Sequence, residues 1–151
     1  MDQAILTYLS EQQSSRQWKA FLTLFATELA EQLAPKNLHG IMRRTGMRFA
    51  QQRPLPPAQT VAEIEQAMNT VWRDTGWGWL RIEEAEDSLV LRHFCAPLRA
   101  NFGEEHQAWT PAFLEGAYEH WLRQSGADEH LRVRQAGAPD GLGSIEYRFG
   151  K

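Results

Sequence analysis

The sequence predicts an α+β fold: N-terminal helices, then a four-stranded antiparallel sheet with one long helix inserted between its two hairpins. Three observations predict it. Apolar residues recur at helical spacing as far as Trp72, the period falls to two beyond Gly78, and a second helical stripe after Thr110 divides the alternating runs into two pairs. The 151 residues make a single domain, with residues 1–13 set apart as an N-terminal segment, and that length buries a core without disulfides or a structural metal.

Each element has its own signal. Ile5, Leu6 and Leu9 lie on one side of a short amphipathic segment, which at a chain terminus is expected to order against a partner. From Ser14 and Ser15, Trp18, Phe21, Leu22, Phe25, Leu29 and Leu33 form one helical stripe, ended by Pro35. A second helix, Asn37 to Gln52, carries Leu38, Ile41, Met42 and Phe49, and "RPLPP" then forbids both helix continuation and strand pairing. Arg43, Arg44, Arg48 and Arg53 read as a solvated face. Thr60 followed by Glu63 is a capping box that opens a third helix, running through Val61, Ile64, Met68, Val71 and Trp72 to Gly76. In "GWGW", Gly76 and Gly78 suit a helix end that needs positive φ, and Trp77 and Trp79 fill the corner between helix and sheet. Leu80 and Ile82, opposed by Arg81 and Glu83, form a hairpin with the strand Leu89 to Phe94 around a turn at Glu86 to Ser88. Thr110 and Pro111 start the best-defined helix, with Phe113, Leu114, Ala117, Tyr118, Trp121 and Leu122 on its stripe and Gly126 at its end. Leu131 and Val133, then Ile145, Tyr147 and Phe149, are the last two strands, with "GAPDGLG" between them.

Composition narrows the function. Hydrophobic residues make up 42% and charged residues 23%, a globular profile, and no run reaches membrane-spanning length. "MDQAILTYLSEQQ" lacks a basic n-region, so the chain is expected in the cytoplasm. A net charge of −3 with mixed signs argues against a nucleic-acid binder. With one cysteine no internal disulfide forms. His93 and Cys95 share a strand face, but a zinc site needs four ligands, and a cysteine nucleophile needs an oxyanion turn and an orienting group that the sequence does not supply. Packing is their expected role. Glu83, Glu84 and Glu86 read as an acidic turn, because alternate strand residues point to opposite faces. Six tryptophans keep carbohydrate stacking open beside a structural role. No catalytic residue, metal site or cofactor is expected. In the second strand Leu89 and Leu91 point one way while Val90 and Phe94 point the other, yet a lone antiparallel sheet normally buries one face. That surplus, with the apolar stripe of the first segment and the helix at Thr110, assigns Leu6, Leu9, Val90, Phe94 and Trp109 to contacts between copies of the chain.

Four stretches in this order carry a resemblance: "RTGMRFAQQRPLPP", "TVAEIEQAMNTVWRDTGWGWLRIEE", "LVLRHFCAPL" and "WTPAFLEGAYEHWLRQSGA". From about Ile41 to Val133 the chain resembles the D subunit family of the bacterial cellulose synthase operon, most specifically at Asn69, Trp77 and Gly78 and at the run from Phe113 to Gly116 with Tyr118 and Trp121. The resemblance implies a non-catalytic accessory protein that forms a ring-like octamer, a tetramer of dimers, with passageways for emerging glucan. It implies a role in ordering synthase complexes and crystallising their product, together with a proline-rich partner from the same operon. It further implies that the N-terminal residues Met1, Asp2, Gln3, Ala4 and Ile5 face those passageways, and that the protein sits near the inner-membrane synthase. "FLEG" is also similar to ligand-binding domains of the vesicle-tethering, four-vinyl-reductase type, which would make the chain a small-molecule sensor. A cysteine-dependent enzyme is the third and weakest alternative.

Overall fold

In the computed structural model, which describes residues 2–12 and 14–151, the chain runs through six helices and four strands among the described residues. Three helices open it: α1 (Gln3–Gln12), α2 (Arg16–Gln32) and α3 (Pro35–Gln52), the last starting on a proline whose missing N–H costs nothing at the first helical turn. Helix α4 (Val61–Thr75) has the predicted limits. Thr60 accepts a hydrogen bond from the Glu63 N–H at 3.1 Å, and Gly76, at φ 72°, ends the helix in the left-handed conformation. The hairpin β1 (Trp79–Glu84) and β2 (Leu89–Phe94) follows, then a short α5 (Leu98–Phe102) and a 3-10 turn at Glu104–His106, neither of which the sequence signalled. Helix α6 (Ala112–Gln124) leads to β3 (Arg132–Gln135) and β4 (Ile145–Gly150).

The sheet is antiparallel throughout, in the order β1-β2-β4-β3, so the two hairpins join through β2 and β4. Its register puts Leu80, His93 and Ile145 in one row and Ile82, Leu91 and Tyr147 in the next, both on the inner face. Helix α6 lies in the middle of the domain, and ten of its thirteen residues are buried. Against α3 it packs backbone to backbone. A Cβ on Gly46 would come within 1.8 Å of the Phe113 carbonyl oxygen, and one on Gly116 within 1.9 Å of that of Arg43. The core around this seam is aromatic: Trp72 stacks on Phe49 at 5.5 Å and meets Trp121 edge to face at 5.3 Å, and Trp77 closes on Phe113 at 4.8 Å. Trp72 and Trp121 are fully buried, each removing about 200 Å² from water, on the order of 5 kcal/mol of hydrophobic stabilisation.

Two expectations need correction here. The "GWGW" corner uses Trp77 as predicted, but Trp79 stays about half exposed and stacks on Phe94 across the hairpin at 5.2 Å. Gly78 is required by the close pass of the Phe94 carbonyl, 1.9 Å from where a Cβ would sit. The arginine cluster of α3 is not uniformly solvated either. Arg44 and Arg48 are exposed, whereas Arg43 reaches inward to the carboxylate of Glu119 at 2.6 Å and Arg53 lies 4.3 Å over the Phe49 ring.

Candidate assembly surface

Helix α2 is amphipathic, but it docks by its small and polar side. Ala26 is its one buried residue. Thr23 donates its hydroxyl to the Asn101 carbonyl at 2.9 Å. Thr27 donates its own to Thr23 and so accepts from the Nε2 of the buried His106 at 3.1 Å. The other side carries Trp18, Phe21, Leu24 and Phe25, exposed by 52, 55, 70 and 49%. These aromatics are already ordered against each other, Trp18 edge-on to Phe21 at 5.6 Å and Phe21 stacked on Phe25 at 5.9 Å. The stripe read from the sequence is real, then, but its aromatic part faces outward while Leu22, Leu29 and Leu33 are half-buried.

Helix α1 has no buried residue and adds Ile5, Tyr8 and Leu9 to the same kind of surface. Of eight exposed large hydrophobic side chains among the described residues, seven lie on α1 and α2 and the eighth is Trp79. Clustered exposed apolar side chains on a helix face are the usual mark of a surface that meets a partner. Leu6 and Leu9 line a cleft of about 590 Å³ with Trp79, Cys95 and Leu142, so the first helix leans toward the Trp79–Phe94 corner. Of the proposed passageway residues, Met1 lies outside the described residues. Gln3, Ala4 and Ile5 are exposed, and Asp2 caps α1 by accepting from the Ala4 N–H at 3.0 Å.

The other expected contact residues behave differently. Trp109 is buried within the protomer at 7% exposure, packed edge-on against His106, and the apolar stripe of α6 is consumed between α3 and the sheet. The surplus assigned to the helix at Thr110 therefore does not exist. Val90 does point to the outer face, but it sits in register between Glu83 and Arg148 with 8% exposure. Phe94 is half-covered by Trp79.

Helix side chains cover part of both sheet edges. On β1, Asn69 of α4 takes the Leu80 N–H at 2.6 Å and returns its amide to the Leu80 carbonyl at 2.9 Å, and Glu65 takes the Ile82 N–H at 2.6 Å. On β3, Glu119 accepts from Val133 N–H at 3.0 Å and Glu115 from Gln135 N–H at 2.7 Å, while Arg43 donates to the Val133 carbonyl. Of these two buried carboxylates, Glu119 is paired with Arg43 and with Arg123 at 3.3 Å, and Glu115 lies 3.7 Å from the Arg43 guanidinium and 2.8 Å from the His39 ring. An edge with part of its ladder already used is a poorer template for another strand.

The chemical candidates all serve structure. His93 is fully buried, and burial lowers its pKa to about 4, partly offset by the bond to the Trp77 carbonyl, so the ring is neutral. The neutral ring donates from Nε2 to the Trp77 carbonyl at 2.6 Å and accepts at Nδ1 from the Tyr118 hydroxyl, which in turn accepts from the Trp72 indole at 2.9 Å. With both nitrogens occupied, it has none left for a metal or for Cys95. Cys95 lies just beyond β2 at φ 59°, and burial together with the nearby charge of Asp140 pushes its thiol pKa up, away from the thiolate a nucleophile needs.

What the fold and this surface define is an α+β domain that exposes apolar area on its first two helices while helix side chains cover part of both sheet edges. The family can be named. The chain belongs to the D-subunit family of cellulose synthase, whose model matches residues 4–148. It is similar to the cellulose synthase operon protein D of Komagataeibacter xylinus, 27% identical over 124 residues that cover 80% of each chain. The match extends across α1 and α2, beyond the stretch from Ile41 to Val133 that carried the resemblance.

Proposed function

We propose that this protein is a non-catalytic accessory scaffold of cellulose synthesis that acts as a closed ring of eight copies, a tetramer of dimers, assembled through α1 and α2. The observation that carries the reading is the outward aromatic stripe Trp18, Phe21 and Phe25, joined by Tyr8 and Leu9 of α1. Each is already about half buried, so covering the remainder between copies contributes about 1 kcal/mol per side chain, doubled across a two-fold contact. Membership of the family supplies the pathway. In this reading the exposed start of α1, Gln3 to Ile5, faces the passageways through which glucan emerges, and the ring spaces the synthases so that neighbouring chains crystallise rather than tangle. A proline-rich protein of the same operon is the expected partner, and the cytoplasmic side of the synthase the expected location.

Light scattering of the purified protein tests this directly. We expect the mass of eight chains, falling to a smaller species in Phe21→Glu with Phe25→Glu, whose side chains touch no core. A monomer at all concentrations would end the scaffold reading. In cells lacking the protein, isolated membranes should still polymerise glucose while the cellulose made is less or less ordered, and membranes with normal synthase levels but no polymerisation would point to a part in the chemistry.

A further inference from the structure

The outer face of the sheet is bare of helices at its centre and strongly basic. Five arginines reach it from all four strands, Arg81, Arg92, Arg132, Arg134 and Arg148, against Glu83 and Glu146, in a chain whose net charge is −3. All five are exposed. Register sets two like-charged pairs directly opposite one another, Arg81 facing Arg92 and Arg134 facing Arg148. Such pairs destabilise a sheet. The two glutamates relieve one arginine chiefly, for both bond Arg92 at 3.2 Å, and Glu146 reaches Arg148 at 3.9 Å. Arg81 and Arg134 have no carboxylate within ion-pair distance among the described residues. In each pair one arginine, Arg81 or Arg134, is thus left beside a like charge without a carboxylate of its own, where an anion from outside can meet it.

We propose that this face docks the protein on an anionic phospholipid surface. Guanidinium forks bind phosphate oxygens in pairs, and rows of them about 5 Å apart across neighbouring strands present an array, not a single-ion cleft. At the corner of the same face Trp79, 51% exposed and braced by Phe94, offers an amphipathic ring of the kind that settles at headgroup level. No helix among the described residues is long and apolar enough to cross a membrane, so contact with lipid through these residues is peripheral. Each basic residue near an anionic surface adds about fivefold to binding. Three or four free arginines thus give a single protomer weak attachment, and useful attachment rests on the multiplicity of the ring proposed above.

The test is co-sedimentation of the full chain with vesicles of phosphatidylglycerol mixed with phosphatidylcholine, against phosphatidylcholine alone, with the mass of each protein measured in parallel. We expect binding to the anionic vesicles only, lost in high salt. Arg134→Glu with Arg148→Glu should lower it by about tenfold or more at unchanged mass and melting temperature. Arg44→Glu with Arg48→Glu, the same change of charge on exposed α3, should leave it near the wild-type level. A monomer that still sediments keeps the lipid face and removes the ring, whereas an eight-chain species that does not sediment removes the lipid face and keeps the ring. Equal loss in both double variants, or binding to polyglutamate without binding to vesicles, overturns the proposal, the latter in favour of an acidic protein partner.

Discussion

Replacing either glycine of the α3–α6 seam should unfold the protein far more readily than its position in a helix suggests. By propensity alone, Gly46→Ala or Gly116→Ala inside a helix gains about 1 kcal/mol. The structure reverses the sign. The new Cβ would lie 1.8 or 1.9 Å from a carbonyl oxygen of the facing backbone, where real Cβ contacts begin at 3.0 Å, so the helices must part by more than an ångström. A gap of that order forfeits a quarter to a half of each dispersion contact along the seam, where Met42, Ala50, Phe113 and Ala117 are buried. Overpacking costs of this kind run to about 3 kcal/mol, which against the propensity gain leaves each variant less stable by about 2 kcal/mol and melting roughly 6 °C lower. Gly40→Ala is the internal control. It sits in the same helix, but its Cβ would meet only the flexible end of Arg44 at 3.1 Å, so it should gain about 0.5–1 kcal/mol. Urea unfolding monitored by circular dichroism, at one fixed protein concentration, reads all three. If Gly46→Ala and Gly116→Ala stabilised the protein as Gly40→Ala does, the close approach of α3 and α6 would be wrong.

The buried imidazole predicts acid lability: with a folded pKa of about 4 against an ordinary 6.5, the unfolded chain binds the proton first. Stability is therefore fully present above pH 6.5 and lost as the pH falls from there toward 4, by about 3 kcal/mol, visible as a falling urea midpoint; a flat profile across that window would mean that His93 is solvated. Asn69→Ala leaves the N–H and the carbonyl of Leu80 unpartnered and should cost about 1–3 kcal/mol, with the amide of Leu80 losing hydrogen-exchange protection; unchanged protection would show that the edge is closed by other means. Trp121→Ala empties the centre of the aromatic core and removes the indole bond to the Arg53 carbonyl, for about 3–5 kcal/mol in thermal melts, and an unchanged melting temperature would contradict that packing.

What the sequence disclosed and withheld follows from the range of each signal. Thr60, Glu63 and Gly76 bracket α4 because capping chemistry is local, and the alternation around Leu89 to Phe94 places β2 at its true limits. Helix α5 escaped notice because five residues hold less than two turns of periodicity. The apolar stripe of α2 was legible, but period alone tells that a face is apolar and not whether its partner is this chain or another copy. Conversely, the stripe of α6 looked like surplus because the chain that covers it, α3, is distant in sequence. Glu115 and Glu119 did leave a trace, two acids one turn apart in an otherwise apolar helix, each needing a partner if buried. The partners, backbone N–H groups of β3 and the cations of α3 and α6, are products of the fold. Nothing in a single sequence marks Gly46 and Gly116 as the two residues where helices touch.

The partly covered edges and the outward stripe both fit the ring proposed above. An open strand edge would accept any strand, including that of another copy in an arbitrary register, and association through it would propagate without closing. Helix surfaces discriminate better, because side chains interlock at a few preferred crossing angles. On the scaffold reading proposed above, a stripe such as Trp18, Phe21 and Phe25, with its rings already ordered against one another, would pair with its own copy about a two-fold axis. Two-fold pairing alone stops at a dimer, so a ring requires a second, separate surface. In the proposed ring helix α1 would supply one: it carries its own apolar side chains and borders the Trp79–Phe94 corner rather than repeating the stripe of α2. The buried carboxylates Glu115 and Glu119 are costly to assemble, and by accepting from two N–H groups of β3 they leave that edge less open to another strand, so that in the proposed ring the contacts between copies would fall to helices.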